Sequence, residues 1–400
     1  MNRGFDRDSI VRSMRLVALV GAVLLCCAAL ASAEEPGVTD KKVLIGSCSA
    51  LEGPARLLGL ETVKGATAYL HLVDEKGGVY GRKVELLAFD DSYDPEKTTA
   101  CFNRLLKEGV FAAGFFVGTP TAAKYVPMAE EHKLPVVGLF TGAQLLYSPL
   151  KHWVINVRAS YYDETRDMVN GLVNDLNIKK VGVIYQDDAF GKAVLDGVRI
   201  ALEKHHLAPT GLGTFQRASL DVDGGIRTAR ATNPEAVVLV GPYAPVAEIV
   251  KRSHAQGWHP IFLTVSFVGT EAFIKDAGKD AEGTIITQVV PPYDRTDFPT
   301  IAMYREAINK FYGGSEPSFA SLEGFVDAMV LVEGLKRAGK EPTRAKLISS
   351  IESIHKMDVG LGKLVLDYGP EDHKGFDTVY STVVKGGKPV VFTDWKTVRK

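Results

Sequence analysis

Apolar residues gather in short runs at 42–46, 83–89, 115–117 and 134–140, and between these runs they recur at helical spacing. A continuous apolar run bounded by turn residues predicts a strand covered on both faces, which has no polar side to show. The first helical stretch extends to about Lys76 and ends at Gly77-Gly78, a left-handed cap. Asp94-Pro95-Glu96 opens the next helix, with Asp94 as cap and Glu96 favoured by the dipole. After the run at 115–117 comes Gly118-Thr119-Pro120-Thr121, which places Thr119 as N-cap and Pro120 at the first helical position. Pro127 inside that helix predicts a kink or a break. The run at 134–140 passes directly into Thr141-Gly142-Ala143.

The pattern changes around 153–160 and then repeats. Strands are predicted at 181–186, 211–215, 235–240, 261–265 and 284–290, with helices at 190–206, 221–232 and 246–256. Strand and helix alternating twice over predict an α/β protein of two doubly wound, Rossmann-like lobes. The tail adds helices at 301–311, 322–338 and 346–353, then hairpin-like strands at 361–367 and 378–384. Helices in such a tail complete the first lobe, so the chain crosses between lobes more than once.

This order puts the hydroxyls of Thr119, Thr121 and Thr141 at the carboxyl ends of neighbouring parallel strands. In an open α/β sheet that rim binds ligands, and a helix N-terminus there favours an anion such as a carboxylate. Arg158, near Ser160 and Tyr161 at the crossover, either pairs a ligand carboxylate or clamps the crossover. Tyr243 has the flat face and polar tip to close over a small ligand, or else packs on its own helix. Phe190 and Phe267 stand at similar strand ends and supply apolar walls.

Residues 1–33 are expected to be a secretory signal peptide. Arg3, Arg7, Arg12 and Arg15 precede an apolar run at 16–31, and Ala31-Ser32-Ala33 forms a cleavage site. Cys26 and Cys27 lie inside the run after Leu rather than a small residue, which argues against a lipid anchor. The expected product is soluble and exported, with a mature part of about 365 residues, long for one core. The formal net charge is −1 and no basic cluster stands out, which argues against nucleic acid or an anionic membrane surface as partner. Cys48 and Cys101 remain after cleavage. They form one bridge, closing a loop of ~50 residues worth roughly 4 kcal/mol, or stay two buried thiols.

No catalyst is visible. The nine histidines are scattered, with no HExxH and no zinc spacing, and no serine sits in a G-x-S-x-G elbow. Gly334 to Lys340 has the spacing of a phosphate loop, but Glu341 replaces the required Ser or Thr and the run ends a helix. Asp90-Asp91 and Asp187-Asp188 invite an acid/base or metal reading, yet aspartates ending strands before turns serve as caps. No metal, cofactor or catalytic residue is expected.

The order of motifs resembles the leucine/isoleucine/valine-binding proteins, the type I periplasmic solute-binding proteins of ABC importers. The landmarks are Glu52-Gly53-Pro54, Gly77 to Lys83, Asp90-Asp91 with Asp94-Pro95, Gly118 to Thr121, Leu134 to Val137, Gln186 to Gly191 and Asp372 to Phe376. The resemblance implies two lobes joined by a three-crossover hinge, closing on a ligand. It divides the chain into residues 41–157 plus 291–372 and residues 158–290 plus 373–400. First-lobe contacts fall on Thr119, Thr121, Phe140, Thr141 and Gly142, which would hold a ligand carboxylate. Second-lobe contacts fall on Phe190, Tyr243, Ser266 and Phe267, with Arg158 and Tyr161 at the crossover. Amino-acid-binding members place an acidic residue where Ser266 or Phe267 stands here, and Glu271 follows in the next helix. A buried ammonium without a carboxylate is costly. The expected ligand is therefore a small carboxylate-bearing solute, an amino acid or a des-amino or aromatic organic acid. The implied partner is an ABC transporter membrane permease, served by a monomer; the alternative is a sensory receptor reporting the solute to a regulator.

Overall fold

The computed structural model describes residues 35–399, and the predicted export signal with Cys26 and Cys27 lies outside them. The first sheet takes β1 (Lys42–Ser49), β2 (Lys83–Asp90), β3 (Ala112–Val117), β4 (Val136–Phe140) and β5 (Val154–Ile155) in the order β2-β1-β3-β4-β5. All its pairings are parallel. Parallel neighbours need crossovers, supplied here by α1 (Arg56–Glu75), α2 (Pro95–Glu108) and α3 (Thr119–His132). β3 and β4 are buried at every residue, as the apolar runs predicted.

After α4 (Tyr161–Asn170) the second sheet begins. It contains β6 (Val181–Gln186), β7 (Gly211–Phe215), β8 (Ala236–Val240), β9 (Ile261–Thr264) and β10 (Ile285–Gln288), joined by α5 (Ala189–Glu203), α6 (Asp223–Arg230), α7 (Tyr243–Ala255) and α8 (Thr270–Ala277). The chain then returns to the first lobe with α9 (Pro299–Phe311), α10 (Phe319–Ala338) and α11 (Arg344–Glu352). α10 packs along α1 so closely that a Cβ on Gly65 would lie 1.7 Å from the Ser321 carbonyl oxygen, and one on Gly324 2.1 Å from that of Thr62. Only glycine permits that approach.

The tail strands do not pair with each other as a single hairpin. β11 (Met357–Leu361) pairs with β12 (Leu364–Leu366), and β13 (Tyr380–Lys385) with β14 (Lys388–Val391). β13 also pairs antiparallel with β10, extending the second sheet to the order β14-β13-β10-β9-β8-β6-β7. The chain thus passes between the sheets three times, after β5, β10 and β12. The first and third passages lie side by side: Asn156 N–H donates to the His373 carbonyl (2.9 Å) and Phe376 N–H to that of Val157 (2.8 Å).

Three local expectations are corrected. The N-cap of α3 is Gly118, at φ 104°, and Thr119 is the first helical residue with Pro120 second. Pro127 does not break α3, which runs from Thr119 to His132. Both Pro127 and Ala123, whose carbonyl the proline leaves without its N–H, are exposed, so water can take the bond. β1 runs to Ser49 and so contains Cys48, which forms a disulfide with Cys101 of α2 (S–S 1.98 Å).

Candidate functional site

The carboxyl ends of the strands of both sheets face one another. From the first come Tyr93, Thr119 and Phe140 to Gly142; from the second come Phe190, Tyr243, Ser266 and Phe267. At the bottom the Thr119 and Thr141 hydroxyls hydrogen-bond to each other at 2.7 Å, both fully buried. The Tyr161 phenol lies beside Thr141, and Tyr161 N–H donates to the Gly142 carbonyl (2.7 Å). Thr121 does not join them. Its hydroxyl donates back to the carbonyls of Val117 (2.6 Å) and Gly118 (2.8 Å), bracing the start of α3.

An aromatic cluster covers the hydroxyls. The Phe267 ring centroid lies 4.4 Å from that of Phe190, 5.7 Å from Phe140 and 5.9 Å from Tyr93, and Tyr161 stands 5.4 Å from Phe190. Phe140 ends β4 and Tyr93 follows β2 in the first sheet, while Phe190 and Phe267 follow second-sheet strands, so apolar contact joins the lobes directly. Tyr93 was not anticipated from sequence. It fits because Gly118 lacks a side chain: a Cβ there would lie 2.2 Å from its ring. Its hydroxyl accepts from Gln186 of the opposite lobe (3.3 Å), another unforeseen contact. Tyr243 is the first residue of α7, and its hydroxyl meets the Leu57 backbone at the start of α1. Outward from it a cavity of about 290 Å³ opens, lined by Leu57, Leu58, Glu61, Gly269, Glu271 and Ser318 among others.

Arg158 takes the clamping role rather than lying open to a ligand. It is 1% exposed, with Nη2 on Glu164 of α4 (2.9 Å) and Nη1 on Glu323 of α10 (3.1 Å). Nη2 also donates to the Ser266 hydroxyl. Glu164 further accepts from Ser266 N–H (2.8 Å), its hydroxyl (3.0 Å) and the Thr287 hydroxyl (2.5 Å). Ser266 therefore belongs to the hinge. Burial pushes the Glu323 carboxyl up to about 7 in spite of Arg158. One turn along α10, Asp327 is pushed well above the carboxylate range by burial, with Glu323 adding to it. Its carboxyl reaches the sheet because Gly138 leaves room: a Cβ there would lie 2.6 Å from the Asp327 carboxyl carbon. These glutamates and Asp327 were missed. The available signal was Glu323 and Asp327, four residues apart, inside the otherwise apolar stretch 322–332 of α10.

A prediction follows from Asp327. Its pKa is raised in the folded state, so its stabilising contribution is complete below the unfolded value near 3.9. It fades by about 1.4 kcal/mol per pH unit above that until the buried acid ionises. Asp327→Asn removes this slope. Urea unfolding at pH 5 and pH 8 should show wild type losing more stability than the variant; parallel losses would mean that Asp327 is ionised in the fold.

Asp90, Asp91 and Asp188 hold backbone N–H groups, while Asp187 pairs with Lys192 (3.3 Å). Asp90 accepts from the backbone N–H of Leu51 (2.9 Å) and Glu52 (2.8 Å), Asp91 from that of Tyr93 (2.9 Å), and Asp188 from those of Phe190 (2.9 Å) and Gly191 (3.3 Å). Among the described residues no group of three or more potential metal ligands comes together, and no helix is long and apolar enough to cross a membrane.

Two doubly wound lobes on a three-strand hinge, meeting in a cleft of hydroxyls and aromatic rings, define a two-lobed binding protein. Residues 42–388 match the family described as periplasmic binding protein, and the chain belongs to that family, within its leucine/isoleucine/valine-binding type I branch. It is a solute-binding protein and not an enzyme, of an extracytoplasmic family. The chain is 23% identical over 327 residues to Leu/Ile/Val-binding protein homolog 3 of Brucella melitensis biotype 1, covering 80% of this chain and 86% of that one. Among solved structures it is similar to a possible leucine/isoleucine/valine-binding protein from Rhodopirellula baltica, at 31% identity and TM-score 0.86, over 90% of this chain and 98% of that one. A substrate-binding periplasmic protein from Ralstonia solanacearum is 28% identical, at TM-score 0.81 over 88% and 99%.

Proposed function

We propose that the protein captures a small carboxylate-bearing solute between its lobes and delivers it to an ABC transporter permease, acting as a periplasmic monomer. The lobes are residues 41–157 plus 291–372 and residues 158–290 plus 373–400. The observation that carries the carboxylate is the buried Thr119–Thr141 hydroxyl pair, set at the start of α3 and at the end of β4. Two rotatable hydroxyls and a helix N-terminus donate to an anion without a formal positive charge. Phe140, Gly142 and Tyr161 line the same end. Phe190, Phe267 and Tyr243 form the opposite wall. Entry requires the lobes to part, since Phe267 packs against Phe140 and Tyr93 in the closed arrangement.

The body of the solute is expected to be apolar or aromatic. Phe267 presents only an apolar ring to the cleft, and Glu164 and Arg158 already engage Ser266. Thermal-shift measurements on refolded, ligand-stripped protein would compare amino acids with their des-amino acids. Stabilisation by the acids supports this reading; stabilisation by amino acids alone would show that an ammonium is recognised. For a solute that binds, Thr119→Val with Thr141→Val should hurt carboxylates more than the matching neutral amides. Tyr243→Ala should weaken binding about tenfold, the loss of ~1.4 kcal/mol of contact; unchanged affinity would remove Tyr243 from the site.

A further inference from the structure

Away from the threonine pair, the lobes touch a second time around Glu271. This residue is the second of α8 on the second lobe, and part of its side chain faces solvent. Its carboxyl end is enclosed by the first lobe. Oε1 accepts from the Phe319 N–H at the first residue of α10 (3.3 Å), and the Tyr293 hydroxyl stands beside the carboxyl. The Tyr293 and Phe319 rings meet edge to face at 5.0 Å, fixing both residues against the carboxyl.

We propose that Glu271 is a cross-lobe latch, a carboxyl that grips the start of α10 and Tyr293 in the closed form and takes up a proton from solvent as the lobes close. The neutral acid keeps a carbonyl oxygen for the Phe319 N–H and an O–H to share with Tyr293, whereas the carboxylate must lose water to enter the contact. The surroundings do not favour the charge. On α1, Glu61 accepts from the Ser318 hydroxyl (2.7 Å) and takes Lys64 (2.7 Å) as its own partner. Glu316 and Asp294 contribute further negative charge from the first lobe and the second crossover. Lys275 of α8 and Lys388 of β14 stand at the rim, exposed to water. Burial, with a smaller push from Glu61, holds the Glu271 carboxyl up at about 7, and its own backbone N–H, the Phe319 N–H and Tyr293 only partly offset the two.

The direction follows from linkage. Opened to water, the carboxyl returns to its ordinary value near 4.5; closed, it sits near 7. Closure is therefore favoured most fully below about pH 4.5 and weakens as pH rises towards 7. Between pH 5.5 and pH 8 the closed-to-open ratio should fall roughly thirtyfold. The inference rests on the lobes closing and not on which solute they hold, so a failed ligand screen leaves it standing.

Small-angle scattering of the ligand-stripped mature protein at pH 5.5, 7 and 8 tests it. Wild type should open as pH rises, and Glu271→Gln, which imitates the neutral acid, should stay as closed at pH 8 as at pH 5.5. Tyr293→Phe, which keeps the ring and removes the hydroxyl beside the latch, should shift the equilibrium towards the open form at every pH. A wild-type protein indifferent to pH, or the same response in Glu271→Gln, overturns the proposal. Should the glutamine variant fail to fold by circular dichroism, the tyrosine variant decides, and an unchanged open fraction then overturns it.

Discussion

Arg158→Leu is expected to destabilise the fold by at least about 3–5 kcal/mol, the loss typical of removing one partner from a buried ion pair. The effect should sit at the top of that range because the guanidinium serves two carboxylates. Glu164 on α4 and Glu323 on α10 belong to different lobes, and both are essentially sealed from solvent. Without Arg158 they face each other in a dry interior with the Asp327 carboxyl one turn away, and each must be protonated or the hinge must open to water. Leucine fills part of the space and satisfies neither acid. Denaturant unfolding at pH 7 is the measurement; a change below 1 kcal/mol would show that the acids are already neutral with arginine present. Adding Glu164→Gln and Glu323→Gln should restore much of the loss, since the variant interior then carries fewer uncompensated charges.

The second large effect is expected at the disulfide. Cys48 and Cys101 are 53 residues apart, and closing a loop of that length restrains the unfolded chain by about 4 kcal/mol in the chain-entropy treatment. Replacing both by serine should lower stability by an amount of that order, increased by two hydroxyls placed among Phe102, Leu105 and Phe116 in a buried apolar cluster. Replacing both by alanine separates the two contributions, because alanine removes the link without adding a polar atom. Unfolding midpoints with and without reductant give the check: reductant should lower wild type towards the alanine variant and leave the variant unmoved.

Much of the architecture was readable as pattern because parallel strands buried on both faces leave continuous apolar runs. β6 and β7 begin and end where the pattern put them. The Asp94 cap and the glycines after α1 also stand as read, since caps and left-handed turns depend on chemistry within a few residues. That Pro127 does not break α3 was not legible, for the converse reason. Its consequence depends on whether the freed carbonyl meets water or protein, which no local pattern records.

The site divided along the same line. Thr119, Thr141, Phe190 and Phe267 were placed at strand ends because the alternation of strand and helix locates those ends. Arg158 was left between two roles, and the partners that decide between them lie 6 and 165 residues away. Tyr93 enters the cleft only because Gly118, 25 positions on, leaves space for its ring.

By itself the sequence determined two α/β lobes, the rim where a ligand would sit and the positions of the hydroxyls, all consequences of periodicity and turn chemistry over short spans. The tertiary structure decided how those groups are used. It turned Thr121 back on its own backbone, set Ser266 into the hinge, closed Phe267 over the threonine pair and brought Glu271 against the start of α10. These outcomes rest on contacts between segments far apart in the chain, where burial and the choice of partner, rather than residue type, set what a side chain does.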